Sequence, residues 1–254
     1  MTRDNTGDDV LEKGVVSLEN DTGEKVHPWR RCPKGAHFVK EHDIHHPPSK
    51  EHPNGFVAKG KAYCASNPSH QDELSYSEIQ YIAETYFDKL PGPPTAGKLT
   101  LVFPIADTYD REIRGWVSYW NDIFMLADPL DADFIKALIG TESGFRKKPP
   151  ENLHAHGLMQ IIHETFVVLQ NPKGELRDYL IRVPWNKILE PVANICMGVR
   201  WLFHKRKLAS GRLKREATWE EAVIEYKCYW DEVKAGKIPK GISDLRRYYQ
   251  ILRG

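Results

Sequence analysis

Apolar positions recur every three or four residues along most of this chain, which is the spacing of one face of an α-helix. Ser75 followed by Glu78 has the form of a capping box, and a helical stripe begins directly after it. Thr218 followed by Glu221 repeats that form, and Pro191 suits the first turn of another strongly apolar helix. The pattern predicts a mainly α fold.

The remaining segments fill in this prediction. A further helix is expected over 111–127, a short extended link over 100–106, and one or two hairpins between 150 and 185. These short strand-like stretches leave the fold class mainly α, with at most a small hairpin.

One predicted helix carries an acidic residue on its apolar face. Asp131 or Asp133 is placed to cap this helix. Phe134, Leu138 and Glu142 are spaced four apart, so they lie on the same face. A carboxylate on an apolar face is either satisfied by a structural partner or tuned for chemistry.

Composition divides the chain into three parts. Residues 1–26 are polar and aperiodic and are predicted to form a flexible arm. Residues 27–94 hold most of the histidines, many prolines and glycines, and the predicted helix after Ser75; "PGPP" at 91–94 ends this part. Residues 95–254 are predicted to form one helical domain. The sequence thus indicates a small, irregular His/Cys-rich accessory region ahead of that domain.

Overall composition excludes several classes of protein. The hydrophobic fraction is 41% of 254 residues, and no apolar run reaches the length of a membrane span. The formal net charge is +1, which gives no general attraction for nucleic acid. The N-terminus is polar and lacks an apolar signal core, so we expect delivery by a non-Sec route or a trimmed chain.

The His/Cys-rich part offers candidate metal ligands. Thiolates and imidazoles are the ligands that zinc prefers, and Cys32, His42, His46 and Cys64 are a candidate set for a structural zinc ion. The spacing matches no standard zinc finger. A disulfide between Cys32 and Cys64, a solvated histidine surface and a separate His-dependent catalytic site are the alternatives.

Glu142 is the candidate for acid–base chemistry. It falls in the last turn of its helix, since Gly144 is placed to end the helix in a left-handed cap. Unpaired carbonyls at a helix end and partial burial both disfavour the ionised carboxylate, so both raise its pKa. A carboxyl group that stays protonated near neutral pH is what a general acid requires. The alternative is a structural Glu that pairs with Arg146, Lys147 or Lys148.

Four blocks in order carry a family resemblance. They are "ESGF" at 142–145, "HGLMQI" at 156–161, "NICMGVRWL" at 194–202 and "EYKCY" at 225–229. This order resembles the transglycosylase domain of soluble lytic transglycosylases, which are related to goose-type lysozymes. The resemblance covers about residues 128–235 and implies a lysozyme-like helical domain.

The resemblance implies a role for particular residues. Glu142 matches the single catalytic acid of the family. Ser143, Met159, Gln160 and Tyr226 match residues that contact the saccharide or brace the cleft. Asn194 and Gly198 match positions that look architectural.

Two departures from the family pattern affect the substrate contacts that we expect. Lys227 replaces an asparagine that is typical of the last block. The loop "NLHAH" brings His154 and His156 close to the expected cleft.

The function implied is cleavage of the MurNAc–GlcNAc β-1,4 bond of peptidoglycan, with Glu142 acting first as acid and then as base. No cofactor is required for that chemistry. The alternatives are a lysozyme-type hydrolase of the same bond, a non-catalytic glycan-binding module, and an intracellular zinc or nucleic-acid protein. Action in the periplasm or cell wall is expected, as an antibacterial effector with an immunity protein as partner or as a phage-type muralytic enzyme.

Overall fold

The structure, a computed structural model, describes residues 29, 32, 35–39, 41–67, 71–90, 92, 94–148 and 154–254. The predicted arm at 1–26 lies outside the described residues. The helices are α1 Tyr76–Tyr86, α2 Asp110–Phe124, α3 Ala132–Glu142, α4 His163–Gln170, α5 Pro191–Leu213, α6 Trp219–Tyr226, α7 Trp230–Lys234 and α8 Lys240–Arg253. The strands are β1 Ala36–Val39, β2 His42–His46, β3 Phe56–Gly60, β4 Tyr63–Ser66, β5 Asp72–Ser75, β6 Ala155–His156, β7 Ile161–Ile162 and β8 Tyr179–Arg182.

The mainly α prediction is confirmed, and the predicted helix starts are found. The Ser75 side chain accepts a hydrogen bond from the backbone N–H of Glu78 at the start of α1. Thr218 and Glu221 form a complete capping box at the start of α6. Helix α3 is capped by Asp131. These contacts are local, so a few consecutive residues determine them.

The prediction of an extended link over 100–106 is wrong. Two short 3-10 helices, Lys98–Leu101 and Ala106–Tyr109, occupy this part of the chain. Leu99 is completely buried, whereas Leu101 is exposed. In an extended strand, residues two apart lie on the same face, so a strand would not separate these two side chains in this way.

Helix α5 is the centre of the molecule. Helices α1, α2, α4 and α6 all pack against it, and α8 packs against α3 and α6. Most residues of α5 are buried, on more than one face. None of the helices in the described ranges combines the length and the apolar character needed to cross a bilayer.

The first part of the chain is joined to this helical body. Strand β5 pairs in parallel with β8, with Asp72 opposite Tyr179 and Ser75 opposite Arg182. Helix α1 packs on α5, and its Ile79 and Ile82 are fully buried in the main core. Packing therefore runs across residue 94, and the division of the chain at that residue stays a prediction.

The His/Cys-rich region contains two pairs of short antiparallel strands. Strand β1 pairs with β4, and the hairpin of β2 and β3 lies between them in the sequence. A small core forms from Cys32, Ala36 and Phe38. The ring of Phe38 packs 4.9 Å from that of Tyr81 on α1, which holds the region against the helical body.

The structure corrects the zinc prediction for Cys32, His42, His46 and Cys64. Cys32 and Cys64 form a disulfide bond, so their sulfurs are not available as thiolate ligands. His42 and His46 stand at opposite ends of β2, about 13 Å apart at the usual rise of a strand. His46 instead stacks on Phe56 at 4.3 Å. No cluster of three or more His, Cys, Asp or Glu side chains that could hold a metal ion occurs among the described residues.

The disulfide predicts a measurable loss of stability on its removal. Replacing both Cys32 and Cys64 by Ser frees a loop whose ends lie 32 residues apart, and we expect the free energy of unfolding to fall by about 2–4 kcal/mol. Denaturant unfolding followed by circular dichroism measures this. Cys228→Ser, at an exposed free cysteine, is the control and should leave the midpoint unchanged. An unchanged midpoint in the double variant would contradict the disulfide.

Candidate functional site

Glu142 is the last residue of α3, at the point where the chain turns sharply away. The backbone N–H of Ser143 still donates to the carbonyl of Ile139. Gly144 and Phe145 then both adopt left-handed conformations, with φ of 55° and 64°. The predicted left-handed end of this helix at Gly144 is thus present, and the buried ring of Phe145 fixes it in the core.

The carboxylate of Glu142 is buried beside a lysine. Nζ of Lys227 lies 2.7 Å from Oε1 of Glu142, and these side chains are only 11% and 10% exposed. The contact is an ion pair between a buried ammonium group and a buried carboxylate. The two groups are therefore held together by opposite charge.

Burial is the largest influence on the charge state of Glu142. Desolvation raises the pKa of this carboxyl group, and the positive charge of Lys227 opposes it without cancelling it. The end of α3 acts in the same direction as burial, because its unpaired carbonyls face a negative charge. The result is a carboxyl group that takes up a proton more readily than an exposed one.

Tyr226 stands next to this pair at the end of α6. Its hydroxyl donates to the backbone carbonyl of Met159 at 2.5 Å. Burial, together with the nearby charge of Glu142, raises the pKa of Tyr226 well above its ordinary value. The phenol therefore stays neutral and acts as a hydrogen-bond donor that ties α6 to the loop between β6 and β7.

That loop is held by one side chain of α5. Asn194 is fully buried. Its Nδ2 donates to the carbonyls of His156 and Ile188, both at 2.9 Å. Its Oδ1 accepts the backbone N–H of Met159 at 2.8 Å. The amide nitrogen of Asn194 therefore donates two hydrogen bonds, and its oxygen accepts one.

Two glycines let the loop approach α5 this closely. A Cβ on Gly157 would lie 2.1 Å from Nδ2 of Asn194, and its φ of +75° also favours glycine. A Cβ on Gly198 would lie 2.4 Å from Cβ of Met159. Any larger side chain at either position would push the loop away from the helix.

A cavity of about 300 Å³ opens over Glu142. Its walls come from α3, the β6–β7 hairpin, α4, α5 and the end of α6. The lining residues are Glu142, Ala155, Gln160, Ile161, Ile162, Thr165, Trp201, Tyr226, Lys227 and Cys228. Glu142 is the one acidic side chain among these described lining residues. The cavity thus pairs a single carboxyl group with a lysine, hydroxyls, an amide and an apolar wall.

The structure brings together only part of the predicted site. Glu142, Gln160 and Tyr226 line the cavity. Ser143 is 3% exposed, and its hydroxyl donates to the Ile139 carbonyl at 3.3 Å. Met159 is fully buried and does not line the cavity. Substrate contact for these two side chains stays a prediction, while their backbone atoms shape the site.

The histidines of the "NLHAH" loop lie beside the cavity without lining it. His154 is exposed. The ring of His156 packs edge-on against Trp185 at 5.0 Å. These positions leave open both interpretations from the sequence, exposed loop residues and residues that contact substrate.

Sequence reasoning missed two prominent members of the site. Lys227 was noted only as a departure from the family pattern, yet it is the side chain in contact with the acid. Trp201 lines the cavity and follows Gly198 by three residues, so it lies on the same face of α5. The spacing of Trp201 from Gly198, which the resemblance marks as an architectural position, is the sequence signal for this face.

The hydrogen bonds of Asn194 lead to a prediction about stability. Asn194→Ala leaves the N–H of Met159 and the carbonyls of His156 and Ile188 without their partner, and we expect the free energy of unfolding to fall by about 2–5 kcal/mol. Denaturant unfolding measures this. Asn171, whose side chain makes an exposed local contact with the N–H of Lys173, is the control; Asn171→Ala should stay within about 0.5 kcal/mol of the wild type. Equal effects at both positions would show that the buried hydrogen bonds of Asn194 do not stabilise the fold.

Comparison with known proteins adds one finding. Residues 124–230 match the family model of the transglycosylase SLT domain. No curated protein and no solved structure gives a significant match. The matched segment includes α3 to α6, which supply Glu142, the loop after β6 and Tyr226. Residues 124–230, in the C-terminal half of the chain, therefore resemble a transglycosylase SLT domain, which is a lysozyme-like helical domain, and this match supports a peptidoglycan-cleaving function of the lytic transglycosylase type.

Proposed function

We propose that this chain is a lytic transglycosylase that cleaves the β-1,4 bond between N-acetylmuramic acid and N-acetylglucosamine, with Glu142 as the catalytic acid and base. One observation carries the proposal: Glu142 is the single acidic side chain among the described lining residues of its cavity, and burial raises its pKa. A glycosidase that uses two carboxylates needs a second one across the bond. The described lining offers an acid for protonation and no partner of that kind.

The proposed reaction uses the same carboxyl group twice. Protonated Glu142 gives its proton to the glycosidic oxygen, the bond from that oxygen to C1 breaks, and the departing sugar keeps the proton as a hydroxyl. The acetamido group of the muramoyl residue stabilises the cationic C1. The carboxylate then removes the proton of the C6 hydroxyl while O6 bonds to C1, which closes a 1,6-anhydro ring and returns the proton to Glu142.

The walls of the cavity suit a sugar strand. Trp201 and the isoleucines of β7 provide apolar surface for the faces of sugar rings. Gln160 holds its place by donating from Nε2 to the carbonyl of Gly157 at 2.7 Å, which leaves its side-chain oxygen as an acceptor. These features support glycan as the occupant of the cavity.

A lysozyme-type hydrolase is the second candidate for the same site. Water in place of the C6 hydroxyl would give a reducing sugar with the same acid in the same place. Mass spectrometry of digested peptidoglycan distinguishes the two, because the anhydro product is lighter by one water. A glycan-binding module without turnover would give neither product.

The setting of this activity is also proposed. A domain of this type acts where peptidoglycan lies, in the periplasm or cell wall. The disulfide between Cys32 and Cys64 fits such an oxidising compartment. An antibacterial effector whose immunity protein plugs the cavity over Glu142, or a phage-type muralytic enzyme, would both use the site in this way.

Glu142→Gln tests the acid directly. The amide has nearly the same shape but no acidic proton, so we expect turnover of purified sacculi to fall by roughly 10²–10⁴-fold with little change in circular dichroism. Glu164→Gln, an exposed carboxylate at the start of α4, is the matched control and should keep full activity. Retained activity in Glu142→Gln would rule out Glu142 as the catalytic acid.

The positive charge of Lys227 leads to a prediction for the pH dependence of the reaction. This charge lowers the pKa of Glu142 against the effect of burial. A general acid works only while protonated, so kcat/KM falls as pH rises through that pKa. Lys227→Asn removes the charge, raises the pKa of Glu142, and should move this alkaline limb to higher pH.

Lys227→Arg is the control for that experiment, because it keeps the positive charge. Its alkaline limb should stay close to that of the wild type. Tyr226 remains neutral across the range, since its pKa is raised well above the ordinary value, so it does not produce the limb. An unchanged limb in Lys227→Asn would show that Lys227 does not set the protonation of the acid.

A further inference from the structure

A second cavity lies on another face of α5. Its volume is about 380 Å³, and it shares no lining residue with the cavity over Glu142. Its walls include the rings of Phe124, Tyr179 and Phe203 and the side chain of Leu126. A cavity of this size with an apolar wall falls in the range of sites that bind small molecules.

A buried cation stands in the wall of this cavity. Arg200 is 5% exposed, and its guanidinium group lies 5.0 Å from the ring of Phe124 and 5.7 Å from that of Trp120. Its Nε donates to the carbonyl of Tyr179 at 3.3 Å. Its two terminal nitrogens donate to no described residue, and no described carboxylate lies within ion-pair distance.

Arg206, on the same helix, is an arginine whose three side-chain nitrogens all donate to partners in the protein. Arg206 is 6% exposed and also lines the cavity. Its Nε donates to the carbonyl of Ala217, and its terminal nitrogens donate to the backbone carbonyl and the carboxylate of Asp128. Arg206 therefore uses all three nitrogens on the protein, whereas Arg200 uses one of its three.

The acidic side chains of the cavity do not neutralise Arg200 at contact distance. Glu175, Asp178 and Glu216 line the cavity but are exposed. Oε1 of Glu175 lies 3.1 Å from Nε2 of His204 instead. Asp178 attracts Arg200 only from farther away, and burial lowers the pKa of Arg200 to about 10, so the guanidinium is still charged at neutral pH.

A largely buried guanidinium whose terminal donors open into a cavity is suited to bind a planar anion. Its two terminal nitrogens match the two oxygens of a carboxylate, and such a bidentate pair is strong in an apolar surrounding. The aromatic walls of the cavity would contact an apolar body attached to that carboxylate. Neither feature favours a polar sugar or a cation.

We propose that this cavity binds a small monocarboxylate with an aromatic or alkyl body, with Arg200 holding the carboxylate and Phe124 and Phe203 contacting the body. This site is separate from the cavity over Glu142, and the proposal does not depend on the reaction proposed there.

Naphthoate is a suitable probe, with naphthylmethanol as its neutral counterpart of similar shape. Isothermal titration calorimetry with the full chain should show binding of naphthoate, and at least about tenfold weaker binding of naphthylmethanol because the charged hydrogen bonds are lost. This comparison uses the wild-type protein and needs no variant. Equal affinities for the two probes, or no binding of naphthoate at millimolar concentration, would overturn the proposal.

Variants locate the site. Arg200→Met should weaken naphthoate binding at least about tenfold and leave naphthylmethanol binding unchanged. Lys207→Met removes an exposed cation from the same cavity and should change neither affinity appreciably. If Arg200→Met fails to fold, Arg200→Lys keeps the charge without the planar fork, and its naphthoate affinity should fall below that of the wild type. Wild-type affinity in a folded Arg200 variant would overturn the assignment.

Discussion

The burial of α5 is the constraint on which the rest of the structure depends. On a helix that neighbours surround on several sides, a buried polar side chain needs either a partner inside the protein or an opening to a cavity. Asn194, Arg200, His204 and Arg206 are all at least nine-tenths buried on this one helix. Each therefore dictates what must be packed next to it, and this requirement shapes both cavities of the molecule.

Different polar side chains meet this requirement in different ways. Asn194 draws three backbone groups of surrounding segments to itself and so fixes the wall of the cavity over Glu142. Arg206 is satisfied by Asp128 and Ala217, whereas Arg200 is left with donors facing a cavity. The ring of Trp201 lines the first cavity and packs 5.1 Å from His204 in the second. These two rings of α5 therefore connect the walls of the two cavities.

Structural features that depend on a few neighbouring residues can be predicted from the sequence. Helix caps at Ser75, Asp131 and Thr218 need only a few neighbouring residues, and the spacing of α3 already places Glu142 on an apolar face. The contact of Lys227 with Glu142 depends on how the end of α6 meets the end of α3, which periodicity does not contain. The choice between zinc and a disulfide at Cys32 is of the same kind, because strand pairing between distant segments decides it.

The parallel pairing of β5 with β8 has a consequence for the order in which the chain acquires its structure. Asp72 has its partner Tyr179 in the sequence 107 residues later, so closing this contact carries a large loop entropy and raises the contact order of the fold. During synthesis, β5 leaves the ribosome long before its partner strand is made. Strand β5 must then wait, unpaired along that edge, until residues 179–182 have emerged.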